Sequence, residues 1–184
     1  MGFETLLEQL AVALDAAKIP YMVIGGQAVL FYGEPRLTAD IDLTLGIGPD
    51  RLGDIRALLP ALALTPLVSD DFVQQTFVLP CSAAAEPLRV DFLFSFSPYE
   101  RQAIDRTRRV RMGRAEVRFA SPEDLVIHKL VAGRPRDVED VRGVLRNVAD
   151  LDVDYTRRWL GEFQALIERP LLEEFEGLYR DRER

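Results

Sequence analysis

Asp40 and Asp42 stand two residues apart in ADIDLTL, inside a run whose other residues suit a buried strand. At that spacing on a strand, side chains share one face about 6.5 Å apart, so both acids look outward while Ile41 and Leu43 face the core. Each unpaired charge is expensive to desolvate, and two of one sign repel unless something cationic lies between them. A hard divalent ion does this, and Mg²⁺ favours one or two carboxylates completed by water and phosphate oxygens. Asp91 in LRVDFLF is a third acid, flanked by Val90 and Phe92 in a segment too apolar to host a charge casually. If the two strands lie side by side, three carboxylates can hold a pair of ions about 4 Å apart. Gly25 and Gly26 stop the apolar run YMVI and open the next segment. There, bare backbone N–H groups and a helix dipole can receive a phosphate with no Cβ in the way. A phosphate cradle followed by a metal-binding acid pair describes a site for a nucleoside triphosphate.

These side chains need elements to hold them. FETLLEQLAVALDAAKI has apolar residues at helical spacing and ends before Pro20, which predicts an amphipathic opening helix. YMVIGG predicts a buried strand and a tight turn into a short helix over residues 27 to 33, and ADIDLTLGI is the next strand. Pro49 and Asp50 start a helix through about Leu59. QQTFVLP and LRVDFLFSF, separated by the loop CSAAAEP, pair as antiparallel strands, and Cys81 in that loop is inert. RRVRM and AEVRF around Gly113 form a further hairpin. SPEDLVIHKLVAG is a helix capped by Ser121, with Pro122 at its first position and Gly133 as its stop. From Asp137 onward the text reads as helical, with Trp159 and Phe163 four apart as core contacts. The expected fold is α+β: a small mixed sheet flanked by helices over residues 1–120, with a helical C-terminal region, residues 121–184, packed on it.

GGQAVLFYGEPRLTADIDL, with the later Asp91, resembles the nucleotidyltransferases of the polymerase-beta-like superfamily over about residues 20 to 95. Their pattern is an apolar residue, Gly-Gly or Gly-Ser, a helix, an Asp-x-Asp strand and a third acid downstream. SPEDLVIHKLVAGRPRDVEDVRGVL is similar to the helical segment of bacterial nucleotidyltransferase-like proteins, including aminoglycoside nucleotidyltransferase-like proteins and abortive-infection toxins of toxin–antitoxin pairs. The resemblance implies the nucleotidyltransferase fold and metal-dependent transfer of an NMP group from an NTP, such as ATP, to an acceptor hydroxyl with release of pyrophosphate. It implies Asp40, Asp42 and Asp91 as catalytic and metal-binding residues for two Mg²⁺ ions, with Mn²⁺ as a substitute. It places Gly25, Gly26, Arg36, Thr38 and Lys129 at the nucleotide. Arg36 and Thr38 match the R-x-T-x-D-x-D run of such relatives, and a lysine on the later helix approaches the phosphates in them. Arg136, Asp137 and Asp140 mark the helix after that. Gly26 stands where serine is commoner, which removes one hydroxyl that could bind phosphate. Relatives modify tRNA ends, small molecules such as aminoglycosides, or partner proteins, and all three classes of acceptor stay open. The alternative is a non-catalytic relative acting as a binding partner in a toxin–antitoxin or phage-defence pair; the presence of all three acids counts against it.

Composition bounds these readings. The 184 residues suit one domain, or one with a helical extension, and 48% apolar with 29% charged residues is ordinary for a globular protein. A net charge of −7 excludes coating nucleic acid by bulk electrostatics. The single cysteine makes no intrachain disulfide, and no Cys and His cluster offers a zinc site, which points to a reducing cytoplasm. Glu4 and Glu8 stand where a secretion signal would need positive charge, and no apolar run approaches the roughly 20 residues that span a bilayer. Locally the charge reverses: RQAIDRTRRVRMGRAEVR, Arg101 to Arg118, holds seven arginines against Asp105 and Glu116. This is either a solvated face paired to neighbouring acids or a platform for phosphate. Plainer readings stand beside the others as well. Asp40 and Asp42 could be surface acids on an edge strand, Asp91 could pair with Arg89 or another arginine, and Asp137 and Asp140 could pair with Arg134, Arg136 or Arg142. His128 precedes Lys129 on the helix, cannot face the same way, and reads as a surface or interhelix residue.

Overall fold

Leu6, Leu7, Leu10, Ala11 and Leu14 recur along one helical face, and α1 (Phe3–Ala16) buries them all to 2% exposure or less. The computed structural model describes residues 2–34, 38, 40–84, 88–95 and 97–182. The chain falls into two compact units, Met1–Gln27 with Leu37–Phe119, and Ala28–Arg36 with Ala120–Arg184. No helix among the described residues is long and apolar enough to cross a membrane.

The first unit is built on one seven-stranded mixed sheet. Its strands are β1 (Tyr21–Ile24), β2 (Asp40–Leu45), β3 (Leu64–Pro66), β4 (Val78–Ala83), β5 (Arg89–Phe94), β6 (Arg108–Met112) and β7 (Ala115–Phe119), in spatial order β3-β4-β5-β2-β1-β7-β6. β1 runs antiparallel to β2 and parallel to β7, while β2 runs parallel to β5. All four β1 residues are buried, as the central strand of a covered sheet requires. Along β2 and β5, Ile41, Leu43, Val90 and Phe92 are at most 1% exposed, so one face of each strand is fixed in the core. α1 packs over β7 and β6.

Three features of this unit differ from the sequence expectations. Gln74, Gln75 and Thr76 belong not to a strand but to α4 (Asp70–Thr76), because the Ser69 hydroxyl caps that helix by accepting from Phe72 N and left-handed Phe77 ends it. The strand therefore starts at Val78 and runs through Cys81, which is fully buried in β4 rather than placed in a loop. Burial, reinforced by the charge of Asp91, pushes its thiol up to about 11, so it is inert for a firmer reason than expected. α5 (Pro98–Asp105) occupies the start of the arginine-rich stretch, with Ser97 N donating to Glu100 Oε2 at 3.0 Å in a capping box. α3 (Leu52–Leu58) follows a single 3₁₀ turn at Pro49–Arg51.

In the second unit, α6 (Pro122–Ala132) is buried nearly all round, with Leu125, Val126, Ile127 and Leu130 at 1% exposure or less and Glu123, Asp124 and Lys129 buried beside them. A helix of that kind belongs in the middle, and α7 (Pro135–Asn147), α8 (Val153–Ile167) and α9 (Leu171–Asp181) all pack against it. Its start is capped by Ser121, which accepts from Asp124 N at 3.1 Å, and Gly133 at φ 63° ends it. Arg169 donates to the Leu130 and Val131 carbonyls there. Trp159 is 7% exposed with its ring 6.4 Å from that of Phe163, the core contact their spacing predicts.

α6 and α7 are also joined by charge. Lys129 Nζ lies 2.8 Å from Asp137 Oδ1 and 2.8 Å from Asp140 Oδ2, and all three residues are at most 6% exposed. Arg134 Nε adds a bond of 2.6 Å to Asp137 Oδ2. Burial pushes the Asp137 carboxyl up, but its bonds to Arg134 and Lys129 outweigh that and hold it below the usual carboxylate range. A carboxyl lowered on folding stabilises the fold fully above its unfolded value of about 3.9, and the contribution disappears as pH falls towards the folded value. Asp137→Asn should therefore lose about 3 kcal/mol at pH 7, yet lose less than wild type on going from pH 5 to pH 2. Urea unfolding across that range checks this; equal acid slopes in the two proteins would refute it.

Candidate active site

The parallel register of β2 on β5 sets Asp40 beside Arg89 and Asp42 beside Asp91. Residues in register on neighbouring strands share a face, as do residues two apart on one strand. The four side chains therefore form a two-by-two block on a single face: Asp40 and Asp42 on β2, Arg89 and Asp91 on β5. Hydrogen-bonded strands lie about 4.8 Å apart, so each carboxylate has a neighbour within one strand spacing. Asp40 is exposed, Asp42 half-buried, and the Asp91 side chain 18% exposed. This is the juxtaposition the sequence predicts for the three acids.

Gly25 closes the block from the side. It follows β1, sits at φ 66° and opens α2 (Gly25–Tyr32). A Cβ at this position would lie 1.9 Å from Asp42 Oδ2 and 2.8 Å from its carboxyl carbon, so only glycine lets the Asp42 carboxylate lie against the turn. Gly26 is buried as the second residue of the same helix. Gln27, 5% exposed, donates from Nε2 to the Asp40 carbonyl at 3.5 Å, and the Thr38 hydroxyl reaches the same carbonyl at 3.5 Å. Both contacts are long; that of Gln27 ties the start of β2 to the glycine turn, while that of Thr38 is local to the segment entering β2. Gln27 went unremarked in the sequence, where a polar residue inside an apolar helix is the only signal it offers.

Arg89 is the other residue the block brings in. Its Nε donates to Asp91 Oδ1 at 2.7 Å, the pairing that was the plainer reading of Asp91. The bond and charge of Asp91, then the charges of Asp40 and Asp42, hold the guanidinium more firmly protonated than usual. Among the described residues, no group of three or more His, Cys, Asp or Glu side chains is arranged to hold a metal ion as it stands. The donor set itself suits a hard divalent cation: it is made of carboxylate oxygens, it shares one face, and it abuts a glycine turn against which the Asp42 carboxylate packs.

Arg36 falls outside the described residues. Lys129 belongs to the second unit, where Asp137 and Asp140 hold its ammonium and its side chain is 6% exposed. Its ammonium joins α6 to α7, because the acids of the following helix face it. The arginine stretch is also partly accounted for: Arg109 pairs with Glu116, Arg114 with Glu8 and Arg118 with Asp15.

Comparison with known proteins places this fold. The structure of ANT(2")-Ia in complex with adenylyl-2"-tobramycin superposes with a TM-score of 0.60 at 18% identity, covering 89% of this chain and 97% of that one. An antigenic nucleotidyltransferase-like protein from Paracoccidioides brasiliensis gives a TM-score of 0.60 at 15% identity over 96% of this chain and 91% of its own. The lincosamide antibiotic adenylyltransferase LnuA, lincomycin-bound, gives 0.54 at 14% identity over 77% and 95%. At these identities the likeness is one of fold, and that fold is the nucleotidyltransferase fold expected from the sequence. No curated protein matches the sequence. A family described as nucleotidyltransferase of unknown function (DUF6036) matches residues 3–162, and the chain belongs to that nucleotidyltransferase family.

Proposed function

We propose that this chain transfers a nucleoside monophosphate from a nucleoside triphosphate to an acceptor hydroxyl with the help of Mg²⁺, releasing pyrophosphate. One observation carries the reading: Asp40, Asp42 and Asp91 share one face of two paired strands, with Gly25 against Asp42. These carboxylates would hold the ions, two Mg²⁺ or Mn²⁺ in their place, which neutralise the triphosphate and orient it for in-line displacement. The rest falls to the chain's own groups. The N–H groups at the start of α2, from Gly25 and Gly26, hydrogen-bond phosphate oxygens with help from the helix dipole. Arg36 and Thr38, just ahead of the acid strand in sequence, add a cation and a hydroxyl on the nucleotide side. Asp91 takes the proton that leaves the acceptor hydroxyl. The acceptor oxygen bonds to the α-phosphorus as the bond from that phosphorus to the pyrophosphate oxygen breaks, and pyrophosphate leaves with the electron pair.

Incubation with each α-labelled NTP and Mg²⁺, beside aminoglycosides, lincosamides, total RNA and the protein itself, identifies the acceptor as the species that gains label. Asp42→Asn should cut that transfer about 10³-fold, the rate equivalent of roughly 4 kcal/mol of lost charge stabilisation, and leave the thermal melt in place. Transfer retained at the wild-type rate would sink the assignment.

Gly25→Ala provides an independent check. The methyl group meets Asp42 and the backbone stays in the left-handed region, so the variant should melt lower and weaken Mn²⁺ and NTP binding together. Gly53→Ala, where nothing lies within 4 Å of the new methyl, should leave both unchanged or raise the melt slightly. Identical behaviour of the two variants would remove Gly25 from the site.

A further inference from the structure

Arg89 is the one corner of the block that is not an acid. It is bonded to Asp91 at 2.7 Å, stands in register with Asp40, and senses the charge of Asp42 as well. The two partners differ in freedom: the Arg89 side chain is 51% exposed and that of Asp91 only 18%. The arginine can swing into solvent, while the carboxylate is held among β4 and β2 neighbours, with Pro80 and Asp42 in register on either side. A guanidinium stays charged at every working pH, so it can release the acids only by moving.

Resting on the metal-dependent reading above, we propose that Arg89 is the built-in counter-cation of the acid block and competes with divalent ions for Asp91, thereby setting how tightly the block binds them. Asp91 Oδ1 is already engaged by Arg89 Nε, so an ion using that oxygen has to displace it. An ion using the remaining carboxylate oxygens would lie within several ångströms of the guanidinium as long as it stays paired with Asp91. Repulsion between a divalent ion and a guanidinium at that range, in a largely solvated site, corresponds to about a tenfold loss of affinity. The Arg89 side of the pair is half exposed and screened by solvent, so Arg89 can be replaced without loss of the fold.

Titration with Mn²⁺ at low ionic strength, followed by the electron paramagnetic resonance of the free ion, reads this affinity without turnover. Arg89→Gln should bind Mn²⁺ about tenfold more tightly than wild type, with an unchanged thermal melt. Arg89→Lys, which keeps the charge, should stay near wild type. Arg109→Gln, which removes a 63%-exposed and ion-paired arginine on the edge strand β6, should have no effect. If wild type binds Mn²⁺ and Arg89→Gln binds it equally or more weakly, Arg89 orients Asp91 instead and the competition is overturned. If neither protein takes up Mn²⁺, with or without a non-hydrolysable NTP, the metal-dependent reading falls and this inference with it.

Discussion

Like charges held on one face of adjacent strands cannot relax away from one another, and that is the constraint on which the site depends. Side chains on a surface loop would separate to lower their repulsion. Asp40, Asp42 and Asp91 cannot, because the opposite faces of their strands are locked in the core by Ile41, Leu43, Val90 and Phe92 at 1% exposure or less. A one-residue slip between β2 and β5 would carry the acids into that core and the apolar residues out of it. The hydrophobic side of each strand thus holds the charged side in place. Gly25 completes the enclosure, since only a residue without a Cβ lets the turn close on Asp42.

The chain holds a second set of acids with a different outcome. Asp137 and Asp140 sit around Lys129, with the exposed Arg134 bonded to Asp137, so the four formal charges cancel and Lys129, Asp137 and Asp140 are shut away from water. In the strand block, three carboxylates stand with one guanidinium, the formal sum is −2, and the group opens to solvent at Asp40 and Arg89. Buried charge in proteins survives where partners neutralise it, as the helical cluster does. Negative charge concentrated at an accessible rim is what attracts a cation. Both clusters are written in aspartate, and the balance of partners separates a structural cluster from one suited to chemistry.

That difference explains what could be read from the sequence. The acid pair and the glycines were legible because they are local: a spacing of two on a strand, and two glycines at a strand end, fix geometry without tertiary knowledge. Asp91 was legible through its apolar neighbours, and its partner Arg89 stood in view as one of two readings. The pairing of Lys129 with Asp137 and Asp140 was not legible, because it depends on α7 folding back against α6, a contact no local spacing reveals. The Gln74 to Thr76 segment was assigned to a strand because its apolar continuation outweighed Ser69, whose cap made it a helix. The strand order, with β5 beside β2 and β7 beside β1, depends on long crossovers that leave no local signature.

The arginine stretch takes its meaning from the same balance of partners. In the sheet it supplies β6, an edge strand, and exposed Arg108, Arg109 and Arg111 along such an edge deter pairing with another chain. The other edge, β3, is protected differently: it is three residues long and ends in Pro66. Arg109, Arg114 and Arg118 each meet an acid from their own unit. A run of one sign in the sequence becomes, once folded, a guarded edge and a set of matched pairs. The acids of β2 and β5 go the other way: they are separated in the sequence and gathered by the fold, which makes them the better guide to function.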